Sequence, residues 1–226
     1  QDMSDKGSIS KQKVIKVSKK KKLDKAFELD FVFSPKSLDI PPQSKVMVKV
    51  VGLDAYPERK ESESNICTIF VLGKEDHAKL LKEKFGNIVN ELDALNLKQQ
   101  NLFNEHDKQS EKSKEELQGE KGKLASEKLL EQLKENEKRL KEIEKRVKEL
   151  VNESMRNDLL AAKDLEEWMN VLEKLNKMNS ELMPQIKQPL QSSADNELNR
   201  KNDLKESLEA HKKLMKSLAS LPSHAE

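Results

Sequence analysis

The chain has 226 residues and a formal net charge of +2, with 37% charged and only 4% aromatic side chains. Globular proteins average about 25% charged residues, so this composition disfavours an ordinary enzyme and predicts long helices packed along narrow apolar seams. The single cysteine, Cys67, excludes an intrachain disulfide and a cysteine-based zinc site, and it favours a reducing compartment.

The positive charge is concentrated at the start of the chain. Residues 1–25 contain nine lysines and three aspartates, whereas residues 26–73 and residues 74–226 each have two more acidic than basic side chains. No apolar run approaches the roughly 20 residues that a membrane-spanning helix needs. The sequence opens at Gln1 without an initiator methionine, which is typical of a processed or excised fragment.

After a flexible segment at residues 1–12, we expect a β-rich domain at residues 13–73. Apolar side chains at Phe27, Leu29, Phe31 and Phe33 alternate with other residues, which is typical of a half-buried strand. The same approach predicts four strands of a small antiparallel sheet, at residues 14–17, 26–33, 46–53 and 66–72.

The last of these runs differs from the others because only Thr68 interrupts its apolar character. We therefore expect residues 66–72 to form a central or doubly covered strand, in which Cys67 is a small buried hydrophobe. The three prolines within residues 34–43 predict an extended loop before residues 46–53.

Long helices are predicted from Gly73 onward, because apolar positions between Phe85 and Leu102 recur at alternating spacings of three and four. Residues 104–122 lose this seam and predict either an exposed helical extension or the loop of a helical hairpin. We therefore assign residues 74–153 to long helices that form a coiled coil or a hairpin.

The strongest heptad pattern lies within residues 129–150. Its a and d positions are Leu129, Leu133, Asn136, Leu140, Ile143, Val147 and Leu150. The single polar member, Asn136, is interpreted either as a tolerated core position or as a device that selects register or partner. These residues, together with Trp168, are the interaction candidates; Trp168 fits core packing or an interface anchor.

Residues 154–226 predict a C-terminal helical bundle. One seam runs from Leu165 through Trp168 to Ile186 and is expected to end near Pro184 and Pro189. A turn is predicted at residues 190–197, with a helix N-cap at Ser193 or Asp195, and a final helix stops before Pro222. These two helices and the preceding long one predict a three-helix bundle.

We find no sequence motif for catalysis, cofactor binding or metal binding. There is no phosphate-binding glycine loop, HExxH, GxSxG or Cys-x-x-Cys sequence, and the four histidines are not at metal-ligand spacing. His211 lies on an apolar seam, where we expect a hydrogen-bonded interfacial histidine. The sequence thus predicts a non-enzymatic protein with no cofactor.

The basic tract lies between the first two predicted strands, where we expect a solvated hairpin turn. Its lysines are Lys19, Lys20, Lys21, Lys22 and Lys25. Alternative interpretations are a nuclear-import tract and a docking site for a polyanion, either nucleic acid or an acidic membrane. Nucleic acid is an unlikely partner, because no aromatic residues are interleaved with the lysines, and a single basic patch without a lipid or an apolar face is a similarly weak membrane anchor.

Three functional hypotheses follow. The first is a protein–protein interaction or scaffold module, whose β head is carried by helices that pair with each other or with a partner. The second is a chaperone-type substrate-binding module, because a β unit followed by lid-like helices resembles the substrate-binding half of the seventy-kilodalton heat-shock family. The third is polyanion binding through the lysine tract. We expect a cytoplasmic or nuclear location, with the secretory lumen left open.

Overall fold

The computed structural model describes residues 14–15, 32–52 and 60–223, and the chain divides into two compact units. The first unit comprises residues 1–71 and holds the strands, and the second comprises residues 72–226 and holds the long helices. This segregation of antiparallel strands from helices confirms the predicted α+β class. The basic tract and the predicted strand at residues 26–33, except for its last two residues, lie outside the described residues.

The strands of the first unit are short. They are β1 (Ser44–Val48), β2 (Val51–Gly52), β3 (Ser62–Glu63) and β4 (Cys67–Val71). β1 pairs antiparallel with β4, with Val46 opposite Ile69, and β2 pairs antiparallel with β3. The segment between β1 and β2 is also bonded to the segment between β3 and β4, since the Ser64 N–H donates to the Val50 carbonyl oxygen at 2.9 Å.

Three predictions about this unit were wrong in detail. The strand expected at residues 46–53 is interrupted at Lys49 and Val50, and Val32 and Phe33 are not in a strand. The loop at residues 34–43 is not fully extended, since Lys36–Leu38 form a short 3-10 helix. Pro35, which precedes this turn, has a helical backbone conformation that its ring permits.

The expectation that β4 is central and covered on both faces was also wrong. Among the described residues β4 pairs only with β1, and Phe70 is 66% exposed. Cys67, expected to be buried, is an exposed free thiol. An all-apolar run signals burial only where another layer of structure covers both faces of the strand.

The second unit consists of long helices. They are α1 (Lys74–Glu111), α2 (Gly119–Ser154), α3 (Ala162–Lys177), α4 (Met183–Asp195) and α5 (Arg200–Leu218). A π-helical turn, Met178–Leu182, joins α3 to α4, so these two helices form one continuous rod. The residues at the start of α1 favour a helix N-terminus, because Glu75 and Asp76 place negative charge there.

These helices form an antiparallel four-helix bundle. Arg146 of α2 pairs with Glu91 of α1, and Lys128 pairs with Glu105, so the residue number falls along one helix as it rises along the other. The contacts of α2 with α4, of α4 with α5 and of α5 with α1 follow the same rule. Each helix packs on its neighbours in sequence, and α5 packs on α1 and closes the ring.

The bundle therefore contains one more helix than the three-helix unit expected from the C-terminal sequence. Residues 154–161 make a turn within the second unit, so the helices on both sides of the expected domain boundary pack together. The uncertain stretch at residues 104–122 contains both predicted structures, since α1 continues to Glu111 and residues 112–118 form the loop of the hairpin.

The prolines do not end the third rod of the bundle, contrary to expectation. The helix passes Pro184 and Pro189 and ends at Asp195. The turn predicted at residues 190–197 and the N-cap predicted at Ser193 or Asp195 are therefore placed too early in the chain. A proline ring collides with the carbonyl of residue i−4 in a regular α-helix. The wider π-helical turn lies immediately before Met183 and Pro184 and relaxes this collision. The true turn is residues 196–199, and Asn199 precedes α5.

One end of the bundle is joined by a buried arginine. The Arg200 side chain, 3% exposed, donates to the carbonyl oxygens of Ser193 at 2.7 Å, Leu117 at 2.6 Å and Gly119 at 3.3 Å. These bonds fix the α1–α2 loop against the α4–α5 turn. Gly119 has a φ of 72°, a left-handed conformation that glycine adopts without strain.

We predict opposite effects for two Gly→Ala substitutions in helices. A Cβ at Gly122 would overlap the Leu117 carbonyl oxygen, so Gly122→Ala is expected to displace the loop and reduce the unfolding free energy by more than about 2 kcal/mol. A Cβ at Gly86 meets nothing within 4 Å, so Gly86→Ala is expected to stabilise α1 by about 0.5–1 kcal/mol. Urea denaturation followed by circular dichroism measures both. Equal effects would contradict this account of the loop.

Candidate functional site

The heptad residues singled out in the sequence all lie inside the bundle. Leu129, Leu133, Asn136, Leu140, Ile143, Val147, Leu150 and Trp168 are each at most 4% exposed. The apolar members belong to one continuous core with the buried residues of the other helices. In this structure the seam is thus covered by the chain's own helices.

Trp168 packs against α1. Its ring stacks on Phe85 with the centroids 5.0 Å apart and an angle of 22° between the planes. The two rings line a cleft of about 310 Å³ together with Gly86, Val89 and the charged residues at its rim, Lys82, Asp164 and Glu167, and with Pro222 and Ser223. Lys82 and Asp164 form an ion pair of 2.8 Å across this rim. Trp168 itself is a core residue, since only 2% of it is exposed.

A buried polar cluster lies between α1 and α5. His211 Nε2 is 3.1 Å from Gln99 Oε1, and His211 Nδ1 is 3.4 Å from His106 Nδ1. His106 Nε2 is 3.0 Å from the Leu204 carbonyl oxygen. All three side chains are 1% exposed, and Phe103 packs edge-on against the His211 ring. We call Gln99, His106 and His211 the histidine cluster.

Burial controls the charge of this cluster. Desolvation lowers the pKa of His106 to about 4, partly opposed by the Leu204 carbonyl and Asp107. Desolvation, with repulsion from His106, lowers the pKa of His211 to about 3. Both imidazoles are therefore neutral at pH 7.

The sequence identified His211 as an interfacial histidine but missed its partner. His106 lies in the stretch where the apolar seam is lost, and α1 continues through that stretch with polar residues facing inward. The available signal was spacing, because Gln99, Leu102, His106 and Ser110 are separated by three or four residues and are all buried. Because several of these positions are polar, the spacing of apolar residues alone does not reveal that this face of α1 is buried.

A third histidine, His77, lies at the other end of the bundle and is only partly buried. Its Nε2 is 3.0 Å from Glu153 Oε1, and its Nδ1 is 3.1 Å from Asn157 Nδ2. Asn157 also donates to the Lys74 carbonyl oxygen at 2.8 Å. Bonds from Lys84 and His77 lower the pKa of Glu153. These contacts fix the α2–α3 turn to the start of α1.

The β unit exposes an apolar face. Met47 is 67% exposed, Phe70 66% and Ile66 63%. Lys45 is opposite Phe70, and Met47 is opposite Thr68. Because alternate residues of a strand share a face, Lys45, Met47, Thr68 and Phe70 lie on one side of the β1–β4 ribbon. We call these four residues the ribbon face.

Residues 14–15, 32–52 and 60–223, which are the described part of the chain, contain no group of three or more His, Cys, Asp or Glu that could hold a metal ion. None of the described helices is long and apolar enough to cross a bilayer. The five lysines of the basic tract lie outside the described residues.

Comparison with known proteins gives no match to this chain among protein-family models, curated proteins or solved structures.

We predict that Trp168 stabilises the bundle and that its neighbour does not. Trp168→Ala removes the ring stacked on Phe85 and is expected to reduce the unfolding free energy by about 3–5 kcal/mol. Met169→Ala is the matched control, since Met169 is 48% exposed and its loss is expected to change stability by less than about 0.5 kcal/mol. Urea denaturation followed by circular dichroism measures both. A small effect of Trp168→Ala would show that the ring does not contribute to the core.

Proposed function

We propose that this chain is a non-enzymatic protein-interaction module, in which the helices pair with each other and the ribbon face binds a partner protein. The observation that carries the proposal is the contrast between the two units. The apolar seam of the bundle is covered from within, whereas the ribbon face presents two large apolar side chains, Met47 and Phe70, to solvent.

The exposure of these side chains has a physical consequence. A two-stranded ribbon is marginally stable by itself in water, and a third layer or a partner covers its apolar face in stable folds. Clustered exposed apolar residues are typical of binding surfaces, whereas single ones are not. Met47 and Phe70 are diagonal neighbours across β1 and β4, so one partner side chain can contact both.

Charge indicates what kind of partner fits. Lys45 adjoins Phe70 on the ribbon face, and Lys49, which follows β1, bonds to Glu63 at 2.5 Å. We therefore infer a partner segment with apolar side chains directed at Met47 and Phe70 and an acidic side chain near Lys45. Such a mixture of apolar anchors and rim charges gives affinity through the anchors and orientation through the charges.

The bundle has the role of a stable carrier in this proposal. Some of its buried polar residues bond to the chain's own atoms, as in the bonds of Arg200 to three carbonyls. Such bonds favour one arrangement of the helices over alternatives that leave charged groups unpaired.

The experiment places a photo-crosslinking amino acid at Phe70 and, as a control, at Leu97 of α1, which is 65% exposed. We expect a partner protein to crosslink from Phe70 and not from Leu97. The purified partner is then tested against the double variant Met47→Thr/Phe70→Thr, which keeps β propensity. Loss of two apolar anchors is expected to weaken binding by about tenfold or more.

A second control replaces Leu97 and Leu124 by Gln, a good helix former, and is expected to leave the affinity unchanged. Unchanged binding of the ribbon variant would contradict the proposal, as would a partner lost only from the helix variant. If Phe70 crosslinks only to a second copy of this chain, the ribbon face is a self-association surface and the proposal of a different partner protein is wrong.

A further inference from the structure

The hydrogen-bond chemistry of the histidine cluster is determined by its one backbone contact. The Leu204 carbonyl can only accept, so the hydrogen in its 3.0 Å contact belongs to His106 Nε2. A neutral imidazole has a single N–H, and His106 Nδ1 is therefore an acceptor. The 3.4 Å contact between the two rings consequently requires that His211 Nδ1 donates.

The orientation of the Gln99 amide follows from these assignments. With its hydrogen on Nδ1, His211 has an acceptor at Nε2, which needs a donor from Gln99. A half-turn of the Gln99 amide brings its nitrogen to the position 3.1 Å from His211, and the two ends of an amide have nearly the same shape. In the other orientation Gln99 Nε2 is a buried donor with no partner among the described residues. An unpaired buried N–H is rarer than an under-used carbonyl.

With both rings neutral the cluster thus forms a relay: Gln99 donates to His211, His211 to His106, and His106 to the Leu204 carbonyl. A protonated imidazole has two donors and no acceptor. One proton on either ring can still be hydrogen-bonded when the Gln99 amide presents Oε1 to His211 Nε2, but it places a full charge among side chains that are 1% exposed. A second proton also opposes two N–H groups across the 3.4 Å contact.

The surroundings offer little compensation for such a charge. On α1, the negative charge of Asp107 raises the pKa of His106, but burial has the larger, opposite effect. On α5, the carboxylate of Glu209 is already paired with Lys212, at 2.7 Å. The buried charge of α5, Arg200, is positive and bonded to three carbonyls. None of the buried residues of α2 or α4, both described throughout, carries a charge. A protonated histidine here must reach water to be solvated.

We propose that the histidine cluster is an acid-sensitive latch that holds α5 against α1 while both imidazoles are neutral and releases α5 when either is protonated. The two rings lie on different helices, so separating α1 from α5 is the movement that brings water to both. This inference does not rest on the ribbon face or on its partner.

The direction of the pH effect follows from the two states. In the open state each imidazole titrates near its ordinary pKa of 6.5, and in the closed state the pKa is about 4 for His106 and about 3 for His211. The open state binds more protons below pH 6.5, so the latch is fully effective above this pH and weakens as pH falls toward 4. Between pH 7 and pH 5 each histidine shifts the equilibrium toward opening by about 20-fold.

The test is hydrogen–deuterium exchange of the whole chain at pH 7 and pH 5, corrected for intrinsic exchange rates. We expect the protection of α5 to fall by about 20-fold or more at pH 5, and that of the middle of α2 to fall less. The double variant His106→Gln/His211→Gln is expected to lose this selective effect. The control His77→Gln, in a partly exposed histidine, is expected to keep it.

A second measurement covers the case in which the double variant fails to fold. Long-range ¹⁵N–¹H spectra of the wild-type chain at pH 7 report the tautomers directly, and we expect the hydrogen on Nδ1 of His211 and on Nε2 of His106. The proposal is overturned if both rings titrate near pH 6.5 with α5 still protected. Equal loss of protection in all helices at pH 5 also overturns it, because the cluster would then lack a selective effect on α5.

Discussion

The contact between α1 and α5 is the interaction on which the helical unit depends. It closes a ring whose other main contacts join rods that are neighbours in sequence, with α3 and α4 counted as one rod. Without it, α1 would have only α2 as a full-length neighbour, and the α1 residues that face α5 would lose their cover. Sequence-adjacent helices are joined by short turns, so their pairing costs little chain entropy, whereas α1 and α5 are more than 80 residues apart at their closest ends. The long-range contact must therefore be specified by side chains.

The side chains at that contact are unusual for a helix interface. Instead of an unbroken apolar seam, α1 and α5 meet through Gln99, His106 and His211, with Phe103 against one ring. A fully apolar seam would tolerate small shifts of one helix along the other, because dispersion and desolvation are not directional. Hydrogen bonds between defined atoms do not tolerate such shifts, since a displaced partner leaves a buried polar group unpaired. The cluster thus sets the register of α5 on α1, at some cost in stability.

The sequence predicted much of this architecture, and its errors have definite physical causes. Heptad spacing correctly located the core of α2, because leucine and valine at a and d positions signal burial in any packed helix pair. The seam of α1 was lost after Leu102, where the inward positions become His106 and Ser110. The two prolines were expected to end the helix, but a π-helical turn next to Pro184 relieves the conflict at that proline, and α4 continues past Pro189 to Asp195. Neither the pairing of His106 with His211 nor the bonds of Arg200 to Leu117 and Gly119 leave a local signal, because their partners are about 80 or more positions away.

The β unit failed the sequence prediction in a different way. Alternation and apolar content correctly predicted antiparallel strands near residues 46 and 67, but coverage of a strand is a property of its neighbours and not of its own sequence. Met47 and Phe70 are therefore not explained by the packing of the described residues. Large apolar side chains that remain exposed weaken solubility, and their grouping on one face is the pattern expected when burial is supplied by a binding partner.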